Sequence, residues 1–131
     1  MISVVSFYVL TIALGITKAI VDTLSFRRKD FSQSNILPDS WQIENSWRNK
    51  WKNGDPAQGE KFWGSSRWLV PLTDAFHLFG MLNHILIFAA ILTYSHIDTT
   101  SHWYLPPIYL STSYILSRTS FHILYTHLLV K

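Results

Sequence analysis

The sequence of 131 residues contains no cysteine. This absence excludes a disulfide framework and every metal site built on thiolates, and it removes the usual clue to the redox compartment. The sequence also has no HExxH pair, no Glu-x-x-His repeat, no Gly-rich phosphate loop, no nucleophile motif and no cofactor fingerprint. No established catalytic or metal-binding motif is therefore available to assign a reaction.

The apolar residues that are present are concentrated in long runs. Hydrophobic residues make up 48% of the chain and aromatic residues 15%, with a formal net charge of +3. These runs predict an all-α integral membrane protein, with residues 1–131 forming one membrane domain of three transmembrane helices. An amphipathic interfacial helix is predicted in the first loop.

The second apolar run, residues 71–95, gives the clearest span. Its 25 residues make roughly 37 Å of helix, enough to cross a hydrocarbon core about 30 Å thick. Pro71 suits the first helical turn because it has no N–H to donate. At about 100° per residue one side of this helix is polar, and polar groups in lipid should face protein or water. That stripe contains Asp74, His77, Gly80, Met81 and His84.

The first apolar run, residues 2–24, is expected to be an uncleaved span. A secretory signal peptide is the competing interpretation, but no basic residue precedes the run and no small-x-small cleavage site follows it. Lys18 and Asp22 are four residues apart and can pair along the helix. They can either reach toward the membrane surface or belong to a polar stripe that meets the stripe of the second span.

The third run, residues 107–130, is predicted to be a span opened by Pro107. It is less apolar than the other two, because it contains many hydroxyl residues, two histidines and Arg118. A helix lying on the outer membrane surface is the alternative. Tyr114, Arg118 and His122 share one side of this helix, so the third run also has a polar stripe.

Lysine and arginine are unevenly distributed between the two connections. The later connection, residues 95–107, has none. By the positive-inside rule the first loop is cytoplasmic, which places the N-terminus outside and the C-terminus in the cytoplasm. The cations of the first loop are Arg27, Arg28, Lys29, Arg48, Lys50, Lys52, Lys61 and Arg67.

Within the first loop, residues 40–52 are predicted to form the amphipathic helix. Ile43, Trp47 and Trp51 repeat at intervals of four and are flanked by cations, which favours docking on anionic lipid headgroups. Packing against a partner subunit is the alternative, since aromatic stripes also form interfaces. Trp68 is predicted to lie at the same interface. Because acidic residues are interspersed and no binding module is recognisable, nucleic-acid binding is not expected.

The three polar stripes can hide from lipid only against each other or in an oligomer. The four charged members sum to zero, as a paired low-dielectric cluster requires. We therefore predict a homo-oligomer that conducts ions or protons through this cluster. The predicted intramembrane cluster consists of Lys18, Asp22, Asp74, His77, His84, Tyr114, Arg118 and His122.

Three other functions stay open at this point. The chain can be an accessory or assembly subunit that binds a partner protein through the same stripes. Asp74, His77 and His122 can instead ligate Zn or Fe, although the spacing is a weak signal and no resident cofactor is expected. A small membrane enzyme that uses the same three residues for acid–base chemistry is the last alternative, and the absence of motifs disfavours an enzyme.

Overall fold

The computed structural model describes residues 2–26, 45–98 and 102–128. The prediction of an all-α chain is confirmed, since these residues form helices and turns and no β-strand. We name the three long helices α1 (Ile2–Phe26), α2 (Ala75–Ser95) and α3 (Leu105–Ile123). A π-helical turn, Leu124–Leu128, continues α3.

Helix α1 lies between the other two, which share few direct contacts. Near its C-terminal end, Ala19 and Leu24 pack with Ala75 of α2, and Phe121 of α3 packs against them. Near its N-terminal end, Phe7 packs with the C-terminal part of α2 and the N-terminal part of α3. Helix α1 is therefore antiparallel to α2 and parallel to α3.

Short polar contacts and one glycine hold the middle of α1 to its neighbours. Asn83 of α2 donates to the Thr17 hydroxyl, 2.9 Å away. The Ser120 hydroxyl of α3 donates to a carbonyl of α1 at 3.1 Å. A β-carbon added at Gly15 would overlap the Ser117 carbonyl of α3, so the two backbones are nearly in contact there. Small residues and interhelical hydrogen bonds of this kind are typical of helices packed in lipid.

Two helices, Val4–Phe26 and Ala75–Ser95, are long and apolar enough to cross a membrane. Helix α3 occupies most of the third predicted span, but it does not reach the same apolarity, in keeping with Arg118 and its many hydroxyl residues. The third membrane crossing is therefore not confirmed. The helix also begins earlier than expected, at Leu105, with proline just inside its start.

The start of the second predicted span is different from the expectation. Pro71 lies in a 3₁₀ turn, Val70–Leu72, and the α-helix begins only at Ala75. Asp74 is the N-cap of α2, with extended backbone angles, and so does not lie inside the helix. The correction follows from capping: an aspartate that accepts the free N–H groups of the first turn is a stronger start signal than a proline.

The predicted amphipathic helix over residues 40–52 is not confirmed. Ile43 lies outside the described residues. From Asn45 to Lys50 the chain forms consecutive turns, and a 3₁₀ turn follows at Lys52–Gly54. The spacing of the tryptophans therefore reflects turns rather than an α-helix wherever this segment is described.

Candidate functional site

The first polar group of the molecule surrounds the Asp74 carboxylate at the start of α2. Asp74 is buried, with 2% of its surface exposed. It accepts a hydrogen bond from the His77 backbone N–H at 3.0 Å and another from the Ser46 hydroxyl at 2.7 Å. The Thr73 hydroxyl donates to the same carboxylate at 3.2 Å. Asp74 therefore caps α2 and also anchors the segment 28 residues before it.

The His77 ring completes this group. Its Nδ1 lies 2.9 and 2.8 Å from the two carboxylate oxygens of Asp74, so Nδ1 carries the donated proton. This contact orients the imidazole of a side chain that is 36% exposed. A carboxylate–histidine pair of this kind can hold a base or a ligand in a fixed direction.

The pKa of Asp74, which precedes the candidate span Ala75–Ser95, is lowered. Burial raises the pKa of this carboxyl, but hydrogen bonds from the His77 N–H, the Ser46 hydroxyl and the His77 ring outweigh burial. These donors stabilise the charged form. Asp74 is therefore an anion at neutral pH despite its burial.

The Ser46, His77 and Asp74 side chains do not form a nucleophilic triad. A triad needs the carboxylate at Nδ1 and the serine at Nε2. Here the Ser46 hydroxyl lies 3.4 Å from Nδ1 and donates to Asp74, so it shares the carboxylate side of the ring. The geometry supplies an oriented imidazole without an activated nucleophile.

A second polar group lines a groove between α1 and α3, with a volume of about 380 Å³. Lys18 and Asp22 form an ion pair on α1, as their spacing predicts. Tyr114 and Arg118 of α3 line the same groove. The Arg118 guanidinium lies 5.8 Å from the centre of the Phe121 ring, and no carboxylate pairs with it in the described part of the chain. We call this feature the α1–α3 groove.

The eight residues of the predicted intramembrane cluster thus separate into two groups and two single residues. Asp74 and His77 are together, and Lys18, Asp22, Tyr114 and Arg118 line the α1–α3 groove. His84 is exposed on α2, where its ring contacts the Gly80 carbonyl of its own helix at 2.7 Å. His122 is exposed on α3.

The predicted metal site is not present in a single chain. No group of three His, Cys, Asp or Glu side chains close enough to hold a metal ion occurs among residues 2–26, 45–98 and 102–128. Asp74 and His77 are close, but His122 does not join them. Helix α1 lies between α2, which carries His77, and α3, which carries His122. A similar position on two helical wheels therefore does not bring these two histidines together.

Two of the predicted interfacial tryptophans, Trp51 and Trp68, belong to a unit that we call the Trp lobe, residues 50–68. Trp51 and Glu60 form an isolated antiparallel bridge. The Glu60 carboxylate accepts from the Gly64 N–H at 2.9 Å and from the Ser66 hydroxyl. Trp68 is 78% exposed in this lobe, and Trp47 just before it is 52% exposed.

Ser46, Glu60 and Trp63 are the functional candidates that the sequence analysis missed. Ser46 lies in a turn whose contact with Asp74 spans 28 residues, and no local pattern indicates it. A signal for Glu60 was present, because the run from Phe62 to Trp68 holds one glycine and two serines, which favour a turn that a nearby carboxylate can cap.

The chain was also compared with known proteins. No protein-family model, no curated protein and no solved structure matches it.

Proposed function

We propose that this chain is a three-span membrane protein that self-associates through the α1–α3 groove and conducts ions or protons along it. The observation that carries the proposal is an open charged groove at membrane depth. Lys18 lies eight residues before the end of α1, and Arg118 lies ten residues before the end of the π-helical turn that continues α3. At about 1.5 Å per residue both lie roughly 12–15 Å from the nearer helix end. Charges at such depth require protein or water around them.

The membrane placement is supported by how little of the apolar helices the chain covers. Only 28% of an apolar stretch of 18 residues in α1 is buried within the chain, and only 11% of the corresponding stretch in α2. Phe88 and Leu92 on the outward side of α2 are 68% and 63% exposed. An uncovered apolar surface of this size marks contact with a membrane or a partner, whereas the core helix of a soluble protein is mostly buried.

Exposed tryptophans at both ends of α2 support the same placement. Trp68 before the helix is 78% exposed, and Trp103 after it is 87% exposed. The 21 residues of α2 make about 31 Å of helix, close to the thickness of a hydrocarbon core. Tryptophan is enriched at both membrane interfaces, where its ring lies at headgroup level.

For orientation we propose a cytoplasmic first loop, an external N-terminus and a cytoplasmic C-terminus. The support is the charge distribution. Five cations of the described part of the first loop lie before α2, and the connection after α2 has none. We propose that these cations also contact anionic headgroups. They are Arg48, Lys50, Lys52, Lys61 and Arg67.

The lack of cysteine makes orientation directly testable with single introduced thiols. In intact cells we expect a membrane-impermeant maleimide to label His102→Cys, because the second connection is outside. Ala57→Cys, in the first loop, should be labelled only after permeabilisation. Both positions are exposed on the surface of the chain, so a difference in labelling reports the side of the membrane. The reverse labelling pattern would contradict the proposed orientation.

For conduction the decisive variant is Arg118→Ala, with Thr119→Ala as its control. Both side chains are exposed on α3, but only Arg118 lines the groove. We expect Arg118→Ala to lower single-channel conductance in planar bilayers about tenfold or more, because a ring of fixed charge in a pore sets the permeant ion concentration. Thr119→Ala should conduct normally. Mass photometry in nanodiscs should give the same oligomer for both, and a monomeric wild-type protein would exclude the pore.

An accessory subunit is the second candidate, favoured by the charge of the groove. Lys18 and Asp22 neutralise each other, whereas no carboxylate among the described residues pairs with Arg118. A second copy brings another cation, but a different membrane protein can bring a carboxylate. This function predicts a monomer that co-purifies with one stoichiometric partner, which Arg118→Ala releases and Arg118→Lys partly retains.

A further inference from the structure

The Trp lobe carries a cleft that the proposed conduction does not use. Its volume is about 380 Å³, and the indoles of Trp51, Trp63 and Trp68 line it together with Glu60 and Arg67. Trp63 and Trp68 are 82% and 78% exposed. Three tryptophans that line one cleft with a carboxylate are the side chains that bind organic ammonium ions, because an indole face attracts a cation that the carboxylate also attracts.

The backbone of the lobe is held by hydrogen bonds that do not involve the indoles. Lys61 donates its N–H to the Lys50 carbonyl at 2.9 Å, and the buried Ser65 hydroxyl donates to the same carbonyl at 2.7 Å. Gly64 has φ +77°, a left-handed angle that glycine adopts without strain, and its carbonyl accepts three backbone N–H groups. The cleft is therefore preformed, which lowers the entropic cost of binding.

The charges of the cleft have both signs. The Ser66 hydroxyl and the Gly64 N–H lower the pKa of Glu60, and the nearby Arg67 contributes to the same shift. Glu60 is therefore an anion at neutral pH. A carboxylate and a guanidinium that line one cleft match a ligand that itself carries a cation and an anion a few bonds apart.

The lobe lies where such a ligand is abundant in the proposed membrane placement. It immediately precedes α2, so its exposed indoles are at the level of the headgroups. We propose that the cleft binds the headgroup of a zwitterionic phospholipid, with the ammonium among Trp51, Trp63 and Trp68 beside Glu60, and the phosphate at Arg67. The inference rests on the proposed membrane placement, but not on oligomerisation or conduction.

The test measures which lipid the protein keeps. The full chain is placed in nanodiscs of phosphatidylcholine, phosphatidylethanolamine and phosphatidylglycerol in equal amounts, and bound lipid is read by native mass spectrometry. We expect one zwitterionic lipid per chain, enriched about tenfold over phosphatidylglycerol. The double variant Trp63→Leu/Trp68→Leu should lose this enrichment, and because both side chains are exposed the lobe should fold normally. Equal or preferential retention of phosphatidylglycerol would overturn the proposal.

Trp103→Leu is the matched control, since Trp103 is as exposed but lies at the opposite end of α2. It should retain the lipid, and an equal loss in this variant would overturn the assignment to the cleft. Glu60→Gln removes the charge but keeps an oxygen that can accept a hydrogen bond from the Gly64 N–H. We expect retention of the zwitterionic lipid to fall several-fold and the circular dichroism spectrum to be unchanged.

A second arm separates a lipid headgroup from a free ligand of the same chemistry. Soluble phosphocholine added in millimolar amounts should displace the retained lipid if the cleft binds the headgroup itself, and insensitivity to phosphocholine would overturn the proposal. Displacement by far lower, micromolar phosphocholine would instead make a soluble ammonium compound the ligand and overturn the lipid assignment. A chain that fails to enter nanodiscs at all contradicts the membrane placement, so the two failures are distinguishable.

Discussion

Gly15→Ala should separate α1 from α3 and unfold much of the molecule's tertiary structure. The added β-carbon would overlap the Ser117 carbonyl oxygen and the Ser120 hydroxyl, and it would lie 3.0 Å from the Ser117 carbonyl carbon. A side-chain hydroxyl can rotate away, but a helix backbone cannot, so the helices must move apart. We expect a loss of about 3 kcal/mol in the free energy of unfolding, at the upper end of overpacking effects. Reversible unfolding in mixed detergent micelles measures it.

Gly80→Ala is the matched control within the same protein. Gly80 is also a helical glycine, but a β-carbon there meets nothing within 4 Å. Because alanine has the higher helix propensity, we expect Gly80→Ala to be neutral or to stabilise by up to about 1 kcal/mol. Equal effects of the two substitutions would show that the close crossing of α1 and α3 does not form in the folded protein.

Asp74→Ala should be the most damaging polar substitution at the start of α2. It removes the N-cap and leaves the buried Ser46 hydroxyl without its acceptor. Loss of a cap costs about 1 kcal/mol, and an unsatisfied buried hydroxyl costs about 1–3 kcal/mol, so we expect roughly 3 kcal/mol in total. Asp74→Asn should cost only about 1 kcal/mol, because asparagine also caps helices well. Asp55→Ala, which removes the cap of an exposed 3₁₀ turn, should have little effect.

The same carboxylate gives a pH dependence with a defined sign. The pKa of Asp74 is lower in the folded protein than its usual value of 3.8. Its contribution is therefore fully present above about pH 4 and is lost as the pH falls through the folded pKa. We expect the stability difference between wild type and Asp74→Asn to be constant near pH 5 and to shrink toward pH 2. A difference that grows on acidification would contradict the assignment.

Periodicity predicted the three helices and their polar sides, because the helical repeat alone determines which residues share a face. It also paired Lys18 with Asp22, a local contact four residues apart. It could not predict how the stripes combine. A helical wheel gives an angle but not the neighbouring helix, and with α1 in the centre the stripes of α2 and α3 do not meet as one cluster.

The features that the sequence did not predict depend on contacts outside regular helices. Asp74 was assigned to the polar stripe of the second span, although its carboxylate caps the first turn. Its partner Ser46 lies in a turn, where no repeat constrains the direction of a side chain. The spacing of Trp47 and Trp51 resembled a helix, yet neither residue is in an α-helix, and Trp51 lines one cleft with Trp63 and Trp68. Such arrangements follow from hydrogen bonds between residues that are not periodic.

The central position of α1 has a consequence for biogenesis. This helix is synthesised before α2 and α3, so in the proposed membrane placement it enters the bilayer without either of them. Its buried threonines do not need a neighbouring helix as a hydrogen-bond partner, because Thr11, Thr17 and Thr23 donate to carbonyls of their own helix. The charges of Lys18 and Asp22 are also paired within α1. In that placement the polar groups of α1 do not depend on α2 or α3, so both helices can pack on α1 as they are synthesised.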